Sequence, residues 1–156
     1  MSDADGASPN EQLLHACTTD AVALFEACIS LPGLDVNCRN GLGLTPLHLA
    51  IQNASTQVLE VLLEEEVDVD IKTRQGDTPL HLAVRVEEEE VREWIVQQLL
   101  EAGADPRERN KNKDRPQEVI VNAGSEAGQR LRSMLREAEG RIALGGADVA
   151  DDSDDE

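Results

Sequence analysis

The chain has 156 residues, a formal net charge of −18 and 40% apolar residues, with Phe25 and Trp94 as its only large aromatics. That charge repels phosphates and anionic lipid surfaces, and so few aromatics leave little for single-stranded bases to stack on. Nucleic acid and membrane are therefore disfavoured, while a basic protein partner is the class such a charge attracts.

The N-terminal stretch "MSDADGASPN" is acidic and rich in small residues, unlike a signal or transit peptide, and residues 1–8 read as disordered. Three cysteines, an odd number, and no apolar run long enough to cross a bilayer predict a reduced compartment, cytoplasm and/or nucleus.

Next comes "LLHAC" at Leu13–Cys17, and then a hexapeptide written twice, TPLHLA at Thr45–Ala50 and at Thr78–Ala83. The step is 33, and it also links His15, His48 and His81. "LDVNCRN" (Leu34–Asn40) lies under "VDVDIKT" (Val67–Thr73) at the same step. Pro79 finds its counterpart 37 positions on, at Pro116. The surplus lies inside the third unit: Leu62–Leu63 follow Thr45 by 17, whereas Leu99–Leu100 follow Thr78 by 21, one helical turn more. Four units result, at about 9–40, 41–73, 74–110 and 111–140, each read as helix, turn, helix and loop.

Thr45 and Thr78 suit the N-cap, with Pro46 and Pro79 at the first helical position, where a missing N–H costs nothing. Val58, Leu59, Leu62 and Leu63 mark the second helix of unit two, and Gly103 suits a left-handed stop after "QQLLEA". Neither helix of a unit is long enough to stand alone, so each pair must bury its apolar face on its neighbours. The prediction is an all-α solenoid.

The segments "GLGLTPLHLAIQN…VLEVLLEEEVDVDIKT" and "RQGDTPLHLAV…IVQQLLEAGADPRERN" resemble the ankyrin repeat, and the resemblance extends over roughly residues 9–140. It implies helix-turn-helix units joined by β-hairpin-like loops, and a protein-binding role without catalysis. Units one and four depart from the pattern, with Gln12–Leu13 in place of Thr-Pro, Lys113 in place of Gly and Arg115 in place of Thr, as terminal caps do. The resemblance also implies that the TPLH histidines, His48 and His81, are structural, a role that reaches His15 only without its threonine. Cys17 aligns with Ala50 and Cys28 with Val61, both core-facing, while Cys38 falls in a loop beside Arg39. Histidines one repeat apart cannot share an ion, so no metal, cofactor or catalytic residue is assigned.

The acids divide by position. Glu87–Glu90 opens the second helix of unit three, where the dipole favours negative charge, whereas Glu64–Glu66 closes that of unit two, where it does not. Residues 141–156 read as a flexible acidic tail, loosened at Gly145–Gly146. Its Asp151, Asp152, Asp154 and Asp155 serve as a solubiliser or as a clamp for a basic ligand, and Ser153 suits an acidophilic kinase.

Partner binding in this family uses the loop tips, here Arg39–Leu44, Thr73–Asp77 and Asn110–Asp114, with the adjoining first helices. That implies Leu42, Leu44, Arg74, Gln75 and Asp77, continued by Gln52, Asn53, Arg85 and Glu87. Trp94 falls at the phase of Gln57, outside the core, and either covers the extra helical turn or anchors a partner. The expected function is an acidic adaptor or dedicated chaperone for one basic protein, with a ribosomal protein suggested by family analogy, monomeric when free. The alternative is an ankyrin-type inhibitor of an enzyme such as a protein kinase, gripping through Leu42, Leu44 and Trp94.

Overall fold

A computed structural model describes the backbone of residues 8–151 and the side chains of residues 8–144. The helices are α1 (Pro9–Thr19), α2 (Val22–Ile29), α3 (Pro46–Gln52), α4 (Thr56–Leu62), α5 (Pro79–Ala83), α6 (Glu89–Glu101) and α7 (Glu126–Asp151), with a 3-10 turn at Pro116–Glu118. No strand occurs among the described residues. Two layers follow from the contacts. Helices α1, α3, α5 and the 3-10 turn stack as an inner row, and α2, α4, α6 and α7 stack behind them as an outer row.

Each inner helix starts where its capping chemistry dictates. Thr45 and Thr78 are N-caps whose hydroxyls accept the His48 and His81 amides, and Pro46 and Pro79 follow at the first position. Ser8 caps α1 in a reciprocal box with Glu11, so Ser8, expected in the disordered N-terminal segment, belongs to the fold. Ser55 makes no side-chain cap for α4. Asp20 of the preceding unit does so instead, accepting the Val58 amide at 2.8 Å, which ties one repeat to the next. At the end of α6 the Ala104 amide reaches back to the Leu99 carbonyl at 3.0 Å, and Gly103 takes the positive φ (+99°) this stop requires.

The inserted turn lies in α6. Thr45 precedes the start of α4 by 11 residues and Thr78 precedes the start of α6 by the same 11, yet α6 has 13 residues against 7 in α4. Between the layers lies an aliphatic core running the length of the stack, with Leu13, Phe25, Leu47, Ile51, Leu59, Leu62, Leu80, Ile95, Leu99, Leu131 and Leu135 fully buried. Each such side chain contributes about 1.5–3 kcal/mol, which compensates for helices too short to persist alone.

The first unit is out of step with a constant 33-residue period. The left-handed residue closing the first helix is Asp20 (φ 57°) in unit one and Ala54 (φ 52°) in unit two. The accompanying bonds run from Ala21 N–H to Ala16 O and from Ser55 N–H to Ala50 O. The helical step is thus 34. In the loops it is 33, since Cys38 bonds Asp35 as Ile71 bonds Asp68. Unit one therefore carries one additional residue between Cys28 and Leu34. In this register Leu14, not His15, matches His48. Cys17 matches Ile51 and Cys28 matches Leu62, and both cysteines are fully buried.

At the other end, α7 runs through Gly145–Gly146 to Asp151, beyond the boundary at 140 where the sequence sets the acidic tail. No proline interrupts this segment, and alanines at 138, 143, 147 and 150 favour helix.

Candidate functional site

The loop tips repeat one geometry. In each, the first residue bonds across the turn to the fifth: Asn40 N–H to Leu44 O at 2.9 Å, Thr73 N–H to Asp77 O at 2.9 Å, and Asn110 N–H to Asp114 O at 3.0 Å. The fourth residue needs positive φ, supplied by Gly43 (81°), Gly76 (79°) and, in the last unit, Lys113 (68°). Lys113 stands there at a strain of about 1–2 kcal/mol. Successive tips are laced together: Lys111 N–H donates to Gln75 O at 3.0 Å, and the Arg39 guanidinium bridges Gly43 O and Lys72 O.

Beneath the tips sit the two buried histidines. His48 Nδ1 accepts the Thr45 amide at 3.0 Å, so Nε2 carries the hydrogen and donates it to Ile71 O of the following loop at 2.9 Å. His81 repeats this with the Thr78 amide at 2.9 Å and Asp114 O at 2.7 Å. Burial pushes both imidazoles below the ordinary value, so each works as a neutral clip, His48 tying α3 to the loop that closes its own unit and His81 tying α5 to the tip of the next unit. His15 does not share this role; it is exposed on α1, as the 34-residue helical step requires. The three thiols are buried, and burial drives Cys17 up to about 12, far from a reactive thiolate.

A second ladder runs beside the histidines. Asp35, Asp68 and Asp105 each accept the amide two residues on. Asn37 then accepts the Asp68 amide at 3.2 Å, and Asp70 the Asp105 amide at 2.9 Å. The "DVN", "DVD" and "DPR" tripeptides carry this signal in the sequence, but only stacking reveals what the third residue accepts.

Of the proposed contact residues, Leu42 is 69% exposed at its tip, and Arg74, Gln75, Gln52 and Asn53 are exposed as well. Leu44 is half-buried, so the two leucines do not form one exposed pair. Asp77 requires correction. It is 6% exposed, accepts both guanidinium nitrogens of Arg85 and receives Asn110 Nδ2 at 2.9 Å. Burial raises its carboxyl, but the hydrogen bonds from Arg85 and Asn110 outweigh that and hold it below the usual range. It is a joint between tips, not a free contact residue. Arg85 and Glu87 are exposed but follow the end of α5 at Ala83, so they belong to the turn before α6. Asp151 lies on the last helical turn with no described side chain, and Asp152, Ser153, Asp154 and Asp155 lie outside the described residues.

The tips are consequently not acidic: Arg39, Arg74, Lys111 and Lys113 are exposed there. Acids instead edge the grooves between successive outer helices. Glu64, Glu65 and Glu66 border the cleft formed with Ile29, Leu31 and Leu34. Glu60 and Glu90 border the cleft between α4 and α6, with Trp94 half-buried in its wall beside Val91 and Gln57. Glu93, Glu101 and Glu137 border that between α6 and α7.

A family model described as ankyrin repeats (3 copies) matches residues 13–113, more than half of the chain. The chain belongs to the ankyrin-repeat family. Ankyrin repeats are protein–protein interaction modules that bind protein partners and are in general non-enzymatic. No curated protein matches the sequence significantly. In the fourth ankyrin unit the Arg115 amide donates to Glu118 Oε1 at 2.7 Å where the other units have the Thr–His pair, and almost all of this unit lies beyond the matched segment. No described helix is long and apolar enough to cross a membrane.

Proposed function

We infer that this ankyrin protein is a non-enzymatic adaptor or dedicated chaperone that holds one basic protein against its outer helices. The observation that carries the reading is the placement of the acids: a net charge of −18, with exposed glutamates edging the clefts beside α4 and α6, while the tips carry Arg and Lys and arginines line the clefts between α7 and the last loop. Such a face steers a basic partner toward it and selects against acidic ones. A newly made ribosomal protein has that chemistry. The tail residues 147–156 add charge to the same attraction, and the free protein is monomeric, in cytoplasm or nucleus.

The test is affinity capture from the source organism's lysate at low and high salt, with mass spectrometry of what is retained. A basic protein held one-to-one, released by salt and weakened in part by deletion of residues 147–156, is the expected result. A second reading, inhibition of an enzyme such as a protein kinase, draws on Leu42, which stands 69% exposed on the first tip. It requires a captured enzyme that survives the high-salt wash.

A further inference from the structure

We propose that the cleft between α4 and α6 is the seat of a single lysine or arginine side chain of the partner, an inference that rests on the basic-partner reading. The cleft measures about 280 Å³ and is lined by Thr56, Gln57, Glu60, Glu90, Val91 and Trp94. That is below the size of a small-molecule site and suited to one long side chain. Its wall is apolar, from Trp94 and Val91, and carboxylates stand at its rim from both helices.

Neither the Glu60 nor the Glu90 carboxylate has a hydrogen bond or ion pair among the described residues. Glutamates elsewhere do: Glu93 pairs with Arg130, Glu108 with Lys72 and Glu139 with Arg115. No cation among the described residues lines the cleft, whereas Arg141 already stands among the acids between α6 and α7. The cleft bordered by Glu64–Glu66 has acids but no aromatic. Only here do a tryptophan and unpaired carboxylates of two helices converge. A long aliphatic stem would lie on Val91 and the indole, placing its charge over the ring and between the carboxylates. A neutral apolar side chain would leave both acids unpaired, and an acidic one would be repelled.

Trp94 is the only tryptophan, so its emission reports the cleft directly. The full chain is titrated with a capped hexaarginine peptide, with capped hexaglutamine as control. The wild-type chain is compared with the double variant Glu60→Gln/Glu90→Gln, and with Glu26→Gln/Glu126→Gln, which removes equal charge at exposed positions that line none of these clefts. The expected result is a saturable change in Trp94 emission with hexaarginine alone and about a tenfold loss of affinity in the first double variant. The second variant loses no more than about twofold. Trp94→Leu, followed by calorimetry, loses about threefold or more while melting cooperatively.

Equal losses in both double variants, or salt-sensitive binding without any change in Trp94 emission, overturn the cleft and leave the basic-partner reading standing. Absence of hexaarginine binding overturns both. An emission change that tracks protein concentration alone assigns the cleft to a second copy of this chain and overturns the proposal as well.

Discussion

His48 and His15 fall at one phase of the 33-residue string match, yet the folded chain gives them opposite environments, so their alanine variants must behave differently. His48 is fully buried, and its ring satisfies the Thr45 amide at 3.0 Å and the Ile71 carbonyl at 2.9 Å. His48→Ala strands both groups, at about 1–3 kcal/mol each, and leaves a void where the ring stood. A loss of about 3–5 kcal/mol is expected, a large part of the 5–15 kcal/mol that holds a domain folded. His15 is exposed, and His15→Ala should stay within about 0.5 kcal/mol. Urea unfolding followed by far-ultraviolet circular dichroism, with Trp94 emission as a second probe, gives both values from the midpoint and slope. A His15→Ala loss comparable to that of His48→Ala would restore the 33-residue register in unit one and refute the 34-residue helical step.

Further expectations follow from the same joints. Because burial lowers His48 and His81 below the ordinary 6.5, the unfolded chain takes up their protons first. Stability should therefore be level above pH ~6.5 and decline as pH falls below it; a urea midpoint unchanged down to pH 5.5 would count against two neutral buried clips. Gly76→Ala should cost more than Gly43→Ala by at least about 1 kcal/mol in thermal melts. A Cβ at Gly76 meets the Lys111 backbone nitrogen at 2.9 Å, whereas at Gly43 it meets only the flexible Arg74 side chain. The folded protein should react with a thiol reagent at pH 8 only as fast as it opens, and all three cysteines should react at once in denaturant. A thiol titrating immediately in the native state would show that Cys38 is less covered than its 8% exposure indicates.

Much of the architecture was legible because the turn chemistry is written out. TPLHLA encodes cap, first-position proline and buried histidine together, and the spacing to the leucine pair locates the inserted turn of α6. What escaped was set by partners remote in the chain. Asp77 looked like a variable tip residue because Arg85 and Asn110, which bury it, lie 8 and 33 positions away. The register of unit one was misread because a histidine coincided with the expected phase, while the feature that fixes the helical step is the left-handed backbone at Asp20, which no motif announces. The binding surface was the least legible part. Family habit points to the tips, but the division of charge, Arg and Lys at the tips and Glu along the clefts beside α4 and α6, emerges only once the helices are stacked.

A basic partner seated on the outer helices would shield their amides from solvent. Hydrogen–deuterium exchange of the free protein and of the co-purified complex tests this most directly. Added protection is expected in α4 and α6, Thr56–Leu62 and Glu89–Glu101, with little change at the tips. Protection confined to residues 39–44 and 73–77 and to α3 and α5, with the outer row unchanged, would contradict it.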